Sequence, residues 1–234
     1  MSPSLNNTED KSLAQKTNNL SKSFLVLFSL VLLVIIFTNL VCQFIDNLCH
    51  SSIYNIIHKQ QSKVLFKDDF SYNIFYILLL GPVIEEVIFR LPLKPSKINL
   101  IVSLSFLCML FMGGHISNIF YFNFNFLYKF LSIFFVIVFV IFLNQSFLYK
   151  IENKWYGLYF YFLCSTFALI HIENFYHVLP INFIYLSPLF VVPQFLLGCF
   201  AGYIRVKNGV LWSVFLHVLF NIPTTLIYIF TNLL

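Results

Sequence analysis

Seven runs of roughly 20 mainly apolar residues, joined by short polar connections, constrain this chain more than any other feature. They cover residues 24–45, 70–91, 98–116, 126–148, 156–178, 183–204 and 209–231, each near the length a helix needs to cross bilayer hydrocarbon. In lipid a backbone must satisfy its own hydrogen bonds, so runs of this length specify helices and not open strands. Only 10% of the 234 residues are charged, against about 25% in an ordinary soluble domain. The predicted fold class is therefore all-α, a polytopic membrane helix bundle of about seven transmembrane helices. Six or eight are also allowed, because the third run is short and the sixth contains Pro188 and Pro193.

These runs leave no room for a second domain. Residues 24–234 read as a single transmembrane domain behind a polar, Asn/Ser/Lys-rich segment, residues 1–23, of the composition that stays mobile. The first run is about 22 residues long, exceeds the ~7–15 of a signal-peptide core and has no A-x-A cleavage site, so it reads as a retained anchor.

The net charge of +5 is spread in small clusters between the runs. Arg90, Lys94 and Lys97 follow the second, Lys150 and Lys154 the fourth, Arg205 and Lys207 the sixth; none follows the third, the fifth or the seventh. This alternation predicts an integral membrane protein with its N-terminus inside and its C-terminus outside. The connection 46–69 dissents, with Lys59, Lys63 and Lys67 beside Asp46, Asp68 and Asp69. A basic nucleic-acid footprint would be continuous, so nucleic acid is not expected as a partner; the lipid bilayer is. The five cysteines lack CxxC spacing and fit neither a disulfide framework nor a thiolate zinc site.

Against this background the segment GPVIEEVIFR, residues 81–90, places three charges at the end of an apolar run. A carboxylate at membrane depth costs about 2.5–3.5 kcal/mol on insertion scales, so each needs a partner or a purpose. Glu86 and Arg90 lie four apart on one helix face and can pair; the plainer alternative is a headgroup-solvated cluster with Arg90 snorkelling. Glu85 points about 100° away and has no basic residue three or four positions off, so its partner must come from another helix or from water. Gly81-Pro82 just before it removes a backbone donor and frees carbonyls near Leu78.

A second polar face is His217 and Asn221, four apart in an apolar helix followed by Pro223. Either can be an interhelical packing bond, but as a pair they read as the lining of a site. The third feature appears twice, as FMGGHISN at 111–118 and FALIHIEN at 167–174. His171 is preferred because its helical window continues through Asn174 and Tyr176; His115, after Gly113-Gly114, is the alternative. A carboxylate and two histidines from three helices can do hydrolytic chemistry in two ways. Glu85, His171 and His217 can hold a divalent metal with an open position, as in His2Glu zinc sites, or the glutamate and a histidine can activate water directly, with Asn221 donating to the oxyanion.

EEVIFR, FALIH and HVLFN together resemble the EExxxR, FxxxH and HxxxN motifs of the CPBP intramembrane proteases, the family of type II CAAX prenyl endopeptidases and bacteriocin-processing (Abi) proteins. The likeness covers about residues 78–225, with Gly198, Gly202, Arg205 and Gly209 leading into the last motif. The resemblance implies an enzyme of the bacterial cytoplasmic membrane that hydrolyses peptide bonds of membrane-linked, including CAAX-type prenylated, substrates. It implies Glu85 as the base that activates water, Glu86 and Arg90 as its supporting pair, His171 and His217 positioning water or metal, and Asn221 stabilising the oxyanion. Zinc and a metal-free glutamate/histidine mechanism are both compatible with it. Two rival readings keep the same residues: a non-catalytic bacteriocin-immunity or regulatory scaffold, and an ion- or proton-coupled transporter.

One conflict stands within the sequence reading. At 1.5 Å per residue His171 lies roughly 24 Å from the inner end of its run and Glu85 about 9 Å from the inner end of its own. The two meet only if the fifth span starts later, tilts or breaks.

Overall fold

The computed structural model of the chain describes residues 12–56, 70–113, 124–176 and 179–233. Those residues are mostly helical, with no strand among them. His115 lies outside the described residues, as do Lys59, Lys63 and Lys67 of the dissenting connection.

Helix α1 (Leu13–Cys49) opens with a capping box, in which the Ser12 hydroxyl accepts from Gln15 N–H and the Gln15 side chain from Ser12 N–H. It is 37 residues long, about 55 Å, so only its apolar part matches a bilayer. Residues 13–23, assigned above to a mobile segment, are its first turns. They are tied down by Asn208, whose amide bonds Asn19 and the carbonyl of Lys16.

The second apolar run is one rod with a flaw in it: α2 (Phe70–Phe75), a π turn (Tyr76–Leu80) and α3 (Gly81–Arg90). Next come α4 (Lys97–Gly113) and α5 (Phe124–Phe142). The run 126–148, expected as one span, is not one: α5 stops at Phe142, Asn144 caps α6 (Gln145–Asn153), and the chain bends by 81°. The run 156–178 is broken too. Helix α7 (Tyr156–Ile170) ends with His171 at its C-cap, and α8 (Glu173–Tyr176) is a separate turn, so His171 is not inside a helix as expected.

A 3-10 turn (Ile181–Leu186), α9 (Ser187–Phe190) and α10 (Val192–Asn208) make the sixth run. Pro188 and Pro193 sit in the first turns of α9 and α10, where a missing N–H breaks no helical bond. Gly209, at φ +105°, turns the chain into α11 (Val210–Leu233); that backbone conformation suits glycine alone.

Seven spans were expected, and among the described residues three stretches are long and apolar enough to cross a membrane: Leu13–Cys49, Tyr156–Phe175 and Ile181–Asn208. The bent pair of α5 and α6 makes a fourth if taken as one span. The second run is interrupted by its π turn, and the apolar parts of α4 and α11 are shorter helices, Lys97–Phe111 and Val210–Pro223.

The helices meet in a consistent order. At one end Arg205 Nε donates to Arg90 O, Tyr159 Oη to Pro92 O and Lys97 Nζ to Ile141 O. Together with the Asn208 contacts, these bring the start of α1, α4 and α7 to the same end as the finish of α3, α5 and α10. The opposite end is closed by Cys42, Ile53, Leu179 and Phe190. Between them the main core joins Leu27 and Val31 of α1, Ile88 and Phe89 of α3, Phe167 of α7, Ala201 and Ile204 of α10, and Leu216 of α11.

Candidate functional site

Three helices contribute polar groups to this core. On α11, Ser213, His217 and Asn221 recur every four residues and so share a face. That face lies on α3, where Glu86 is fully buried. The Glu86 carboxylate accepts from the Ser213 hydroxyl through Oε2 and from His217 Nδ1 through Oε1 at 2.9 Å. Its Oε2 also lies 3.3 Å from Arg90 Nε. Glu86 therefore answers three groups, two of them on a different helix, where the sequence offered only Arg90.

Arg90 is 1% exposed. Among the described residues none of its guanidinium nitrogens has a hydrogen-bond partner. Its compensation is the charge of Glu86 and the face of Phe167, whose ring centroid lies 4.2 Å from Cζ, a cation–π contact strengthened by exclusion of water. Phe167 does a second task. Its carbonyl, one of the unpaired acceptors at the end of α7, takes a 2.8 Å hydrogen bond from His171 Nδ1. The four-residue spacing of FALIH thus has a local cause: the histidine caps the helix that its own phenylalanine closes.

Both imidazoles are now fixed in tautomer. A carbonyl and a carboxylate only accept, so His171 and His217 each carry hydrogen on Nδ1 and, when neutral, turn a bare Nε2 outward. Both Nε2 atoms face Glu85, at 3.9 Å from Oε1 for His171 and 3.6 Å from Oε2 for His217. Glu85 is 29% exposed and His171 21%, whereas His217 is buried. Three acceptors converging on one opening call for something that donates to them: a water, a proton or a cation.

These are the donor types of a His2Glu metal centre, and Glu86 and Phe167 O hold the far ring nitrogens as outer partners of metal ligands do. Their spacing is more open than such a centre. Bonds of about 2.0–2.1 Å in a tetrahedron bring neighbouring donors to roughly 3.3 Å. Among the described residues no group of three His, Cys, Asp or Glu side chains is gathered closely enough to hold an ion.

The conflict over depth is settled by contact: His171 Nε2 lies 3.9 Å from Glu85 Oε1, so the C-cap of α7 is level with Glu85. Helix α7, which runs 15 residues up to that cap, therefore begins further out than α3 finishes, and its first turn reaches Pro92 through Tyr159. Asn221 does not turn to this opening with its bonded amide hydrogen: its Nδ2 donates to Ile77 O at 3.0 Å. Ser213 was missed in the sequence, though its place four residues before His217 on the same face was a usable signal. Comparison of the chain with protein-family models, curated proteins and solved structures gives no match, so the geometry carries the functional argument.

Proposed function

We propose that this chain is an intramembrane endopeptidase of the kind its three motifs resemble, the CPBP proteases. The observation that carries the reading is the carboxylate of Glu85 facing the Nε2 atoms of His171 and His217, from three helices, beside a buried Glu86–Arg90 pair.

A water in this opening donates one hydrogen to Glu85 and the other to His171 Nε2. Glu85 takes the proton as the water oxygen attacks the scissile carbonyl, general-base catalysis that contributes roughly 10²–10⁴-fold. Negative charge then grows on the carbonyl oxygen. His217, backed by the Glu86 carboxylate and Ser213, can hold a proton on Nε2 and donate it to that oxygen. As the carbonyl re-forms His217 keeps or takes back its proton, Glu85 gives the proton it took from water to the leaving nitrogen, and the C–N bond breaks to give an amine and a carboxylic acid, whose remaining proton passes to the amine to leave a carboxylate and an ammonium. No step is assigned to a metal; Glu85, His171 and His217 are the donors a zinc would use to lower the pKa of its water, and they would have to draw closer than they stand to hold one.

The bundle is read as seven crossings with the N-terminus inside. The meeting of the starts of α1, α4 and α7 with the ends of α3, α5 and α10 supports alternation, and Arg90, Lys97, Arg205 and Lys207 gather at that end as cytosolic residues do. The substrate is a membrane-linked peptide or protein, a CAAX-type prenylated one being the class the motifs imply.

The test is hydrolysis of a prenylated CAAX peptide by the purified protein in detergent. Glu85→Gln is expected to lower the rate by about 10²–10⁴-fold with little change in melting temperature, because Glu85 is partly solvated and faces the two histidines at 3.6 and 3.9 Å, beyond hydrogen-bond distance. Cleavage at the wild-type rate by Glu85→Gln would sink the mechanism. Metal analysis of the same preparation decides for or against zinc.

A further inference from the structure

Helix α11 holds the second apolar run at two places, one beyond its flaw and one within it. Beyond the flaw, Ser213 and His217 grip Glu86. Within it, Asn221 grips the carbonyl of Ile77. Glu85 lies between the two grips, three residues after Pro82.

The second grip has a specific cause in the backbone. In the π turn Tyr76–Leu80 the backbone bonds lengthen from four residues to five, and Gly81 N–H bonds Tyr76 O. The next carbonyl in that register is Ile77 O, and the residue that should supply its donor is Pro82, which has no N–H. In a bilayer, water does not make good the loss, and an unpaired carbonyl at depth is heavily penalised. The Asn221 side chain lies at that carbonyl, and because a carbonyl only accepts, the atom bonded to it must be Nδ2.

From this we infer that Asn221 is a positioning residue: its amide replaces the backbone donor that Pro82 lacks, and so holds open the π turn that aims Glu85 at the two histidines. A π turn carries one residue more than the α-helix it interrupts. Losing it turns every later side chain by about 100° and shifts it by about 1.5 Å, enough to swing Glu85 away from His171 and His217. The hydrogen-bond replacement stands on geometry alone; its bearing on catalysis rests on the hydrolytic reading.

The test is a four-member cycle of wild type, Asn221→Ala, Pro82→Ala and the double variant, each measured for melting temperature and for kcat and KM on the prenylated peptide. Asn221→Ala in the proline background is expected to lower the melting temperature by about 2–4 °C and kcat at least tenfold, with KM little changed. In the Pro82→Ala background residue 82 has its own N–H, and the same substitution is expected to cost less than half as much in both readouts. Equal losses in the two backgrounds would overturn the inference, since uncoupled sites add. Coupling in melting temperature without recovery of kcat would overturn the positioning role and return Asn221 to direct contact with the oxyanion. If the wild type cleaves nothing, the hydrolytic reading fails, while the melting temperatures still decide whether Asn221 stands in for the missing donor. Should Asn221→Ala not yield folded protein, Asn221→Leu, which keeps the volume and removes the donor, takes its place.

Discussion

Glu86 and Arg90 are 0% and 1% exposed, and such a pair is more expensive to break than to replace. Removing one charge leaves the other buried and uncompensated, at about 3–5 kcal/mol, whereas exchanging both for apolar groups of similar shape is often neutral. Glu86→Gln is therefore expected to lower the melting temperature sharply, and Glu86→Gln with Arg90→Met to recover most of it. Activity should stay lost in both, because His217 Nδ1 no longer meets a carboxylate. Thermal melting and peptide cleavage on the same samples check this; an active double variant would show that Glu86 serves only the fold. Of these residues, the i, i+4 pairing of Glu86 with Arg90 was legible in the sequence, since helix geometry fixes it. That Glu86 also orients His217 was not, because the contact spans 131 positions and no local rule reaches so far.

Among the elements, α10 decides how near α7 can come. Gly198 and Gly202 are four apart on one face, and a Cβ on Gly202 would meet the Phe160 ring at 2.8 and 3.0 Å and Leu93 Cδ1 at 3.2 Å. The close approach allowed by these small residues sets the position of α7, and through it Phe167 and His171. Gly202→Val is expected to destabilise the protein by about 1–3 kcal/mol through overpacking, and to reduce cleavage because His171 is carried outward with its helix. A melting temperature equal to wild type would show that the two helices do not depend on this contact. The glycine spacing was visible in the sequence as part of a resemblance; its packing partner was not. Helix existence was largely readable from apolar runs, and Gly81-Pro82 marked the disturbed stretch around Leu78; the breaks at Phe142 and His171 were not readable, since caps and tertiary contacts fix where a helix stops.

For the whole molecule, the proposed reading of seven alternating crossings predicts an orientation in the membrane. Reporters fused to the two termini should fall on opposite sides, the N-terminal one in the cytosol. Both on one side would require an even number of crossings and would take an odd number of the seven runs out of the count. Phosphatase and fluorescent-protein fusions read this directly.

By itself the sequence determined the all-α class: its apolar runs are long and poor in charge, and a helix satisfies its own backbone bonds within a single run. It also singled out, as an expectation, residues too costly at membrane depth to be idle, among them Glu85, His171 and His217. Only the tertiary structure decided that these three converge, that Glu86 and Ser213 stand behind His217, and that Asn221 bonds Ile77 O. Each of those facts is a distance between separate helices, set by how closely glycine faces pack and by where a proline or a cap ends the local hydrogen-bond series. Local periodicity carries no record of either.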